Sequence, residues 1–272
     1  MVDGISAAEP SPTSADAAAD AEVDAAVPAR PQLRFRRIVV MGGGCYGSWY
    51  TQQLTRAIHR EALVAHEIIV VDRDPHCQVA ARLGAGAYAG APVRVAVRAW
   101  DDYVADWLAA GPEALAEDAM VPSPLMPHVC LDWLMARARA HWPGRTVGIA
   151  PLPVAPPTPW ERAAPDGRHY VSFATWTCPV NCIEPARCPA TRGPRDWSMP
   201  VALGQYVEGL VGHFDGACIF PCEHRTYGVG MIDAARIAAA EAQVVGSGAL
   251  PRRVLVGTVS HCHGALGVLT IT

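Results

Sequence analysis

Apolar and polar positions in the first half of the chain follow two rhythms. Consecutive apolar runs, Ile38-Val-Val-Met41 and Ile68-Ile-Val-Val71, mark strands buried on both faces, whereas 45–60 and 126–141 return apolar residues every three to four positions, as helices do. The pattern predicts strands at 37–41, 67–72, 93–98, 118–122 and 146–150, with helices at 45–60, 76–83, 102–110 and 126–141 between them. Such alternation makes a parallel sheet with helices on both faces, and ligands then sit beyond the carboxyl ends of the strands. The second half predicts strands near 168–174, 217–221, 253–259 and 266–271, and helices near 200–211 and 229–245.

The boundaries between these regions are compositional. Residues 1–33 are rich in Ala, Ser, Pro and acids without apolar periodicity and read as a disordered acidic tail. The segment Pro151-Leu-Pro-Val-Ala-Pro-Pro-Thr-Pro159 reads as a stiff extended linker, placed at 151–160. Between and beyond lie an expected dinucleotide-binding domain at 35–150 and a Cys-rich metal-binding domain at 161–272. The expected fold class is α/β, with an N-terminal Rossmann-like parallel sheet and a smaller Cys-rich α/β C-terminal domain.

The dinucleotide expectation rests on the glycine loop after the first strand. Arg37-Ile-Val-Val-Met41 runs into Gly42-Gly-Gly-Cys-Tyr-Gly47, so Gly42, Gly44 and Gly47 fit G-x-G-x-x-G. The first glycine serves the tight turn, the second the approach of a pyrophosphate, and the third the packing of helix on strand. Cys45 occupies a variable position of this loop and is a further candidate contact, a small residue filling the turn being the alternative. Asp72 ends the second strand, where a carboxylate can accept the ribose hydroxyls of an adenosine. Arg73 beside it leaves NAD and NADP both open.

With the loop at 42–47 and the run Val70-Val-Asp-Arg-Asp-Pro75, this half resembles the NAD-binding domain of potassium-uptake regulators, the TrkA-N or RCK type. The resemblance spans about 110 residues and implies bound NAD(H) or a related adenine nucleotide, with Gly42, Gly44, Gly47 and Asp72 at the contact positions. Arg98-Ala-Trp-Asp101 departs from the family, which usually carries Gly-Asp-Ala there. The Asp-x-Asp-Pro run also resembles methyltransferases that hold S-adenosylmethionine by an acid at this place.

Composition narrows the chemistry. All 22 basic residues are arginine, so a Walker A loop, a pyridoxal phosphate Schiff base and a Tyr-x-x-x-Lys dyad are excluded for want of a lysine. Net charge is −4, and the acidic tail accounts for it, which leaves no electrostatic footprint for nucleic acid. No apolar run approaches the roughly 20 residues of a membrane span, and no export signal is evident. A soluble, cytoplasmic protein is expected, acting on a small-molecule substrate or a redox partner protein, with an oligomer left open.

Nine cysteines in such a setting read as ligands or reactive thiols rather than disulfides. Cys178-Pro-Val-Asn-Cys182-Ile-Glu-Pro-Ala-Arg-Cys188-Pro puts three thiols in a proline-stiffened loop, and Cys222 or Cys262 is the expected fourth ligand. Three close cysteines with a distant fourth point to an iron–sulfur cluster, although the C-x3-C-x5-C spacing is not a standard one, and zinc is the alternative. Cys77 and Cys130 read as small buried apolar residues. His261 and His263, flanking Cys262, and His128, at the carboxyl end of the fourth strand, are the candidate catalytic groups; each has a purely structural alternative. Arg187, Arg192 and Arg195 flank the thiol loop and would either hold an anion or stand solvated. The expected protein is thus an NAD(P)-binding oxidoreductase with a Cys-ligated metal centre. A non-enzymatic nucleotide or redox sensor and an S-adenosylmethionine-dependent methyltransferase are its rivals.

Overall fold

The structure is a computed structural model that describes residues 32–178, 182–246 and 251–272. The expected acidic tail lies outside the described residues apart from its last positions. Leu33–Thr272 forms one compact unit of mixed α/β architecture with two mixed sheets and, among the described residues, six α-helices.

The first sheet is built from the apolar runs. Strands β1 (Leu33–Met41), β2 (Leu63–Asp72), β3 (Val93–Val97) and β4 (Asp118–Val121) lie parallel in the order β3-β2-β1-β4. Side chains alternate across each strand, so Ile38, Val40, Ile68 and Val70 share one buried layer with Leu54 of helix α1 (Cys45–His59) and Val79 of helix α2 (Gln78–Gly84). Val39, Met41, Ile69 and Val71 face the opposite layer, against helices α3 (Trp100–Leu108) and α4 (Val129–His141).

A buried carboxylate ties these layers together. Asp118, fully buried, accepts hydrogen bonds from Arg36, Arg37 and the Trp107 indole. Burial alone would raise its pKa; the two guanidinium groups and the indole N–H outweigh that and hold it below the usual carboxylate value.

Beyond β4 the chain departs from the expected order. Strand β5 (Val147–Ala150), expected in the parallel sheet, instead pairs antiparallel with β12 (His263–Ile271) in the second sheet, and Thr146 and Thr272 exchange backbone hydrogen bonds at its end. The place beside β4 is filled by β10 (Val229–Asp233), which runs antiparallel to it. The segment 229–245, expected as one helix, therefore splits into β10 and helix α6 (Ala234–Val245). Tyr227 and Gly228, both left-handed at φ 43° and 75°, form a two-residue hairpin turn that sends the chain back as a strand against β9 (Glu223–Thr226).

The second sheet runs β6 (Trp160–Ala163), β7 (His169–Ser172), β12, β11 (Arg252–Val259) and β8 (Gly216–Pro221), with helix α5 (Met199–Gly209) packed on it. One extended run leaves this sheet as β8 and enters the first as β9, with Cys222 at the corner between them. The two sheets share a core: Val39 and Met41 lie in one cluster with Phe220, Val254, Val256 and Leu269. The Pro-rich run 151–159 thus lies outside helices and strands without separating two cores. No helix among the described residues is long and apolar enough to cross a membrane.

Candidate functional site

Two places gather the residues singled out above: the glycine loop after β1 and the corner around Cys222. At the loop, Gly42 is left-handed (φ 91°) and donates its N–H to Val71 O at 2.9 Å, the turn a glycine permits at a strand end. Gly47 packs so closely that a Cβ there would lie 1.7 Å from the Gly42 carbonyl oxygen. These are the turn and packing roles expected of the first and third glycines.

The middle of the loop is more occupied than the sequence suggests. Asp72 accepts the Gly43 N–H at 2.6 Å and the Asp74 N–H at 2.9 Å, so its carboxylate already organises the loop. The Trp100 ring crowds Gly42, and buried Cys77 fills the space beside Gly43. What stays open is Gly44, with nothing within 4 Å of its Cβ position, followed by exposed Cys45 and Tyr46 at the start of α1. That helix has no side-chain cap and no acid in its first turn, so its amides face outward with their partial positive charge uncompensated. A cavity of about 670 Å³ opens beside Asp72 and Arg73, walled by Trp100, Met126 and Trp133 and edged by Arg139 and Arg168.

At the corner the fold assembles side chains from three separate segments. The tight turn joining β11 to β12 carries His261 and Cys262; Cys178 and residues 182–188 lie against it; Cys222 and His224 come from the β8–β9 junction. Glu184 holds the assembly together. It is buried, has a left-handed backbone (φ 50°), and accepts hydrogen bonds from Ser260 Oγ at 2.6 Å, His261 N at 2.6 Å and Cys262 N at 3.1 Å.

Both turn histidines are gripped from one side. Ser172 Oγ lies 3.0 Å from His263 Nδ1, and Ser198 Oγ lies 3.2 Å from His261 Nδ1. A hydroxyl at Nδ1 orients the ring and leaves Nε2 for another partner, the arrangement found behind metal-binding imidazoles. For His263 that partner is the Cys178 thiol, 3.9 Å from Nε2. His263 is open to solvent, although the protein packed around it lowers its pKa. His224 is lowered too, chiefly by burial, with Glu184 opposing and His261 and His263 adding to it, so His224 and His263 favour the neutral form and are able to act as ligands or bases.

The thiols divide into distinct groups. Burial raises Cys178, and the neighbouring Cys182, Cys188 and Glu184 raise it further. Cys222 and Cys262 are pushed up to about 12, chiefly by burial. The Trp197 indole donates to Cys262 Sγ at 3.2 Å, and the Glu184 amide approaches Cys182 Sγ at 3.4 Å. Cys188 is lowered, mainly because the Thr191 backbone amide donates to it. Among the described residues no three His, Cys, Asp or Glu side chains are close enough to hold a metal ion as they stand. Cys178 and His263 form a two-donor pair, with Cys182, His261 and His224 nearby.

His128 lies elsewhere. It caps α4, is buried edge-on against Tyr170 with ring centroids 5.2 Å apart, and neither ring nitrogen has a partner among the described residues. Burial, with Arg168 adding to it, lowers its pKa to about 4. Cys130 is fully buried, as a small apolar residue would be. Arg195 donates to the carbonyls of Glu184, Pro185 and Trp197 and so braces the thiol loop.

The amino-acid pattern alone points to the thiols and the turn histidines but not to Glu184, Ser172 or Ser198. Its one signal for the brace is an acid placed between ligand-type cysteines in Cys182-Ile-Glu-Pro.

The two sheets and the Cys/His/Glu corner between them define a mixed α/β protein with a thiol–imidazole pair, Cys178 and His263. The chain belongs to the AF_1314_C family, described as "Uncharacterized protein, C-terminal domain", whose model matches residues 130–272, more than half of the chain. The matched region carries every side chain of the corner and excludes the glycine loop. No curated protein and no solved structure matches the chain.

Proposed function

We propose that this protein is an NAD(P)-dependent oxidoreductase with a Rossmann-like nucleotide site and a Cys/His metal centre at the corner. The observation that carries the reading is the pairing of Cys178 Sγ with His263 Nε2 at 3.9 Å, with His263 oriented through Nδ1 by Ser172. Two donors that share a tetrahedral ion bound at about 2.0–2.3 Å sit roughly 3.5 Å apart, so little movement would close the pair on zinc. Cys182 and His261 are the nearest further donors. Zinc suits this donor set better than a four-thiolate cluster, because the pair of donors that already meets is one thiol and one imidazole.

The nucleotide half of the proposal is supported by the parallel order β3-β2-β1-β4, the left-handed Gly42 and the exposed start of α1. Because Asp72 is engaged with Gly43 and Asp74, its role here is to shape the loop, leaving lone pairs for a ribose. The two sites adjoin along α1, which packs against β9, the strand that carries His224. Bound zinc would polarise a carbonyl, and a nicotinamide would exchange hydride with it. The protein's own contribution is to orient His263, favour the neutral form of His224 and His263, and hold the turn rigid through Glu184.

The test is metal and sulfide content of the purified chain, combined with NADH titration by fluorescence. One zinc per chain, lost in Cys178→Ala and His263→Ala, with saturable NADH binding, is the expected result. Iron with acid-labile sulfide would replace zinc by a cluster. Stabilisation by S-adenosylmethionine but not NADH or NADPH would overturn the nucleotide assignment.

A further inference from the structure

Next to the corner, the face of the second sheet that carries His263 forms a second cavity, of about 580 Å³, lined by Trp160, Arg162, Tyr170, Ser172 and His263 among others. Its composition comes from register. Trp160 pairs with Ser172, which pairs with His263; one step along, Arg162 pairs with Tyr170. Directly paired residues project to the same side of a sheet, so these five side chains share one face in two rows about 7 Å apart. The first row ends in the imidazole that meets Cys178. The second presents a guanidinium beside an aromatic ring.

The charge of this face is one-sided. Among the lining residues there is no Asp or Glu, and Arg162, exposed on the edge strand, has no hydrogen-bond or ion-pair partner among the described residues. The neighbouring acid Glu161 belongs to the opposite side of the strand, where it meets His169 at 2.8 Å. An unengaged guanidinium fork matches a planar carboxylate through two parallel hydrogen bonds. A lone cation without a nest of backbone amides suits a singly charged acid better than a dianionic phosphate. The Trp160 and Tyr170 rings offer flat apolar surface between that anchor and His263, and the volume lies in the usual range for small-ligand sites.

We propose that this cavity is the substrate site of the corner and that it takes a flat, unsaturated or aromatic monocarboxylic acid, carboxylate on Arg162 and far end against His263 and Cys178. The assignment rests on the proposed metal-centre reading for what happens at the far end, and on the cavity alone for binding.

The experiment is calorimetric titration of the full-length protein with trans-cinnamate, cinnamamide and phenyl phosphate, before and after zinc loading. Cinnamate is expected to bind at least tenfold more tightly than the other two, and Arg162→Ala to erase that preference while leaving cinnamamide unchanged. Arg162→Lys should recover only part of it, because an ammonium cannot make the bidentate pair. Equal affinity for cinnamate and cinnamamide, tighter binding of phenyl phosphate, or an Arg162→Ala variant that binds cinnamate as the parent does would each overturn the proposal. Arg162-dependent cinnamate binding in a protein that takes up no zinc would retain this site and remove the metal reading. Zinc uptake without cinnamate binding would do the reverse.

Discussion

The glycine loop and the Cys/His corner are organised in opposite ways. At the loop the backbone does the work: a left-handed Gly42, a Gly47 with no room for a Cβ, and a carboxylate spent on two backbone amides leave an exposed helix start. At the corner the backbone is a frame. One buried acid fixes a turn, two serines hold two imidazoles by Nδ1, and His263 Nε2 and Cys178 Sγ face each other. A site made by backbone depends on what is absent from the side chains. A site made by side chains depends on what stands behind them.

The largest effect should come from removing what stands behind the corner. Glu184→Ala strips three donors of a buried charged acceptor, each worth roughly 1.5–3 kcal/mol when the partner is ionised, and the net loss should be about 4 kcal/mol. At roughly 2–4 °C per kcal/mol for a chain of this size, Tm falls by about 8–16 °C. Glu184→Gln keeps acceptors for part of the set and should cost about half as much. Equal Tm values for parent and Glu184→Ala, by calorimetry, would remove the acid from its bracing role.

Gly47→Ala is the matching test at the loop. Its new Cβ would lie 1.7 Å from the Gly42 carbonyl oxygen, so α1 must move off β1, at a cost of about 3 kcal/mol by the scale of overpacked sites. Denaturant midpoints measure it directly, and a variant as stable as the parent would show that the loop has room the structure denies it.

These two sites were unequally legible in the sequence, for a physical reason. The loop is local: strand, glycines, helix and the acid ending β2 lie within about 35 residues, and α1 and the carboxyl ends of β1, β2 and α4 fall where the apolar rhythm predicts, although both strands begin four residues earlier and α4 three residues later. The corner unites Cys178, residues 182–188, 222–224 and 260–263 through tertiary packing and sheet pairing, which no local pattern encodes. Its ligand-type residues could be recognised by kind, its braces only in place. Sheet membership failed for the same reason. The residues of β5 read correctly as a strand, but only tertiary pairing decides that β12 takes them and that β10 takes the place beside β4.

His128 lies at neither site's reactive centre, and its expected effect is on stability. Its pKa falls from 6.5 to about 4 on folding, so the folded state resists a proton that the unfolded chain accepts. Stability from this group is whole above pH 6.5, declines as pH drops from 6.5 to 4 and is then constant, for a total of about 3 kcal/mol at 1.36 kcal/mol per unit. His128→Phe should flatten that part of the stability–pH curve. An unchanged slope between pH 6.5 and 4 would mean that other groups produce it.

The smallest structural effect is the most informative about nucleotide binding. Gly44→Ala adds a methyl group where nothing lies within 4 Å, at an extended N-cap position (φ −75°, ψ −155°), so stability should change by about 1 kcal/mol, the cost of an alanine at a helix N-cap. The same methyl group stands where a pyrophosphate would approach the α1 amides, and it should weaken NADH binding at least tenfold. In Gly47→Ala a loss of binding could follow from a displaced helix; in Gly44→Ala it could not. If Gly44→Ala binds NADH as the parent does, the nucleotide, wherever it binds, does not lie across this loop. The open helix start would then be the ordinary exposed end of a well-packed helix, and the functional burden would fall on the corner alone.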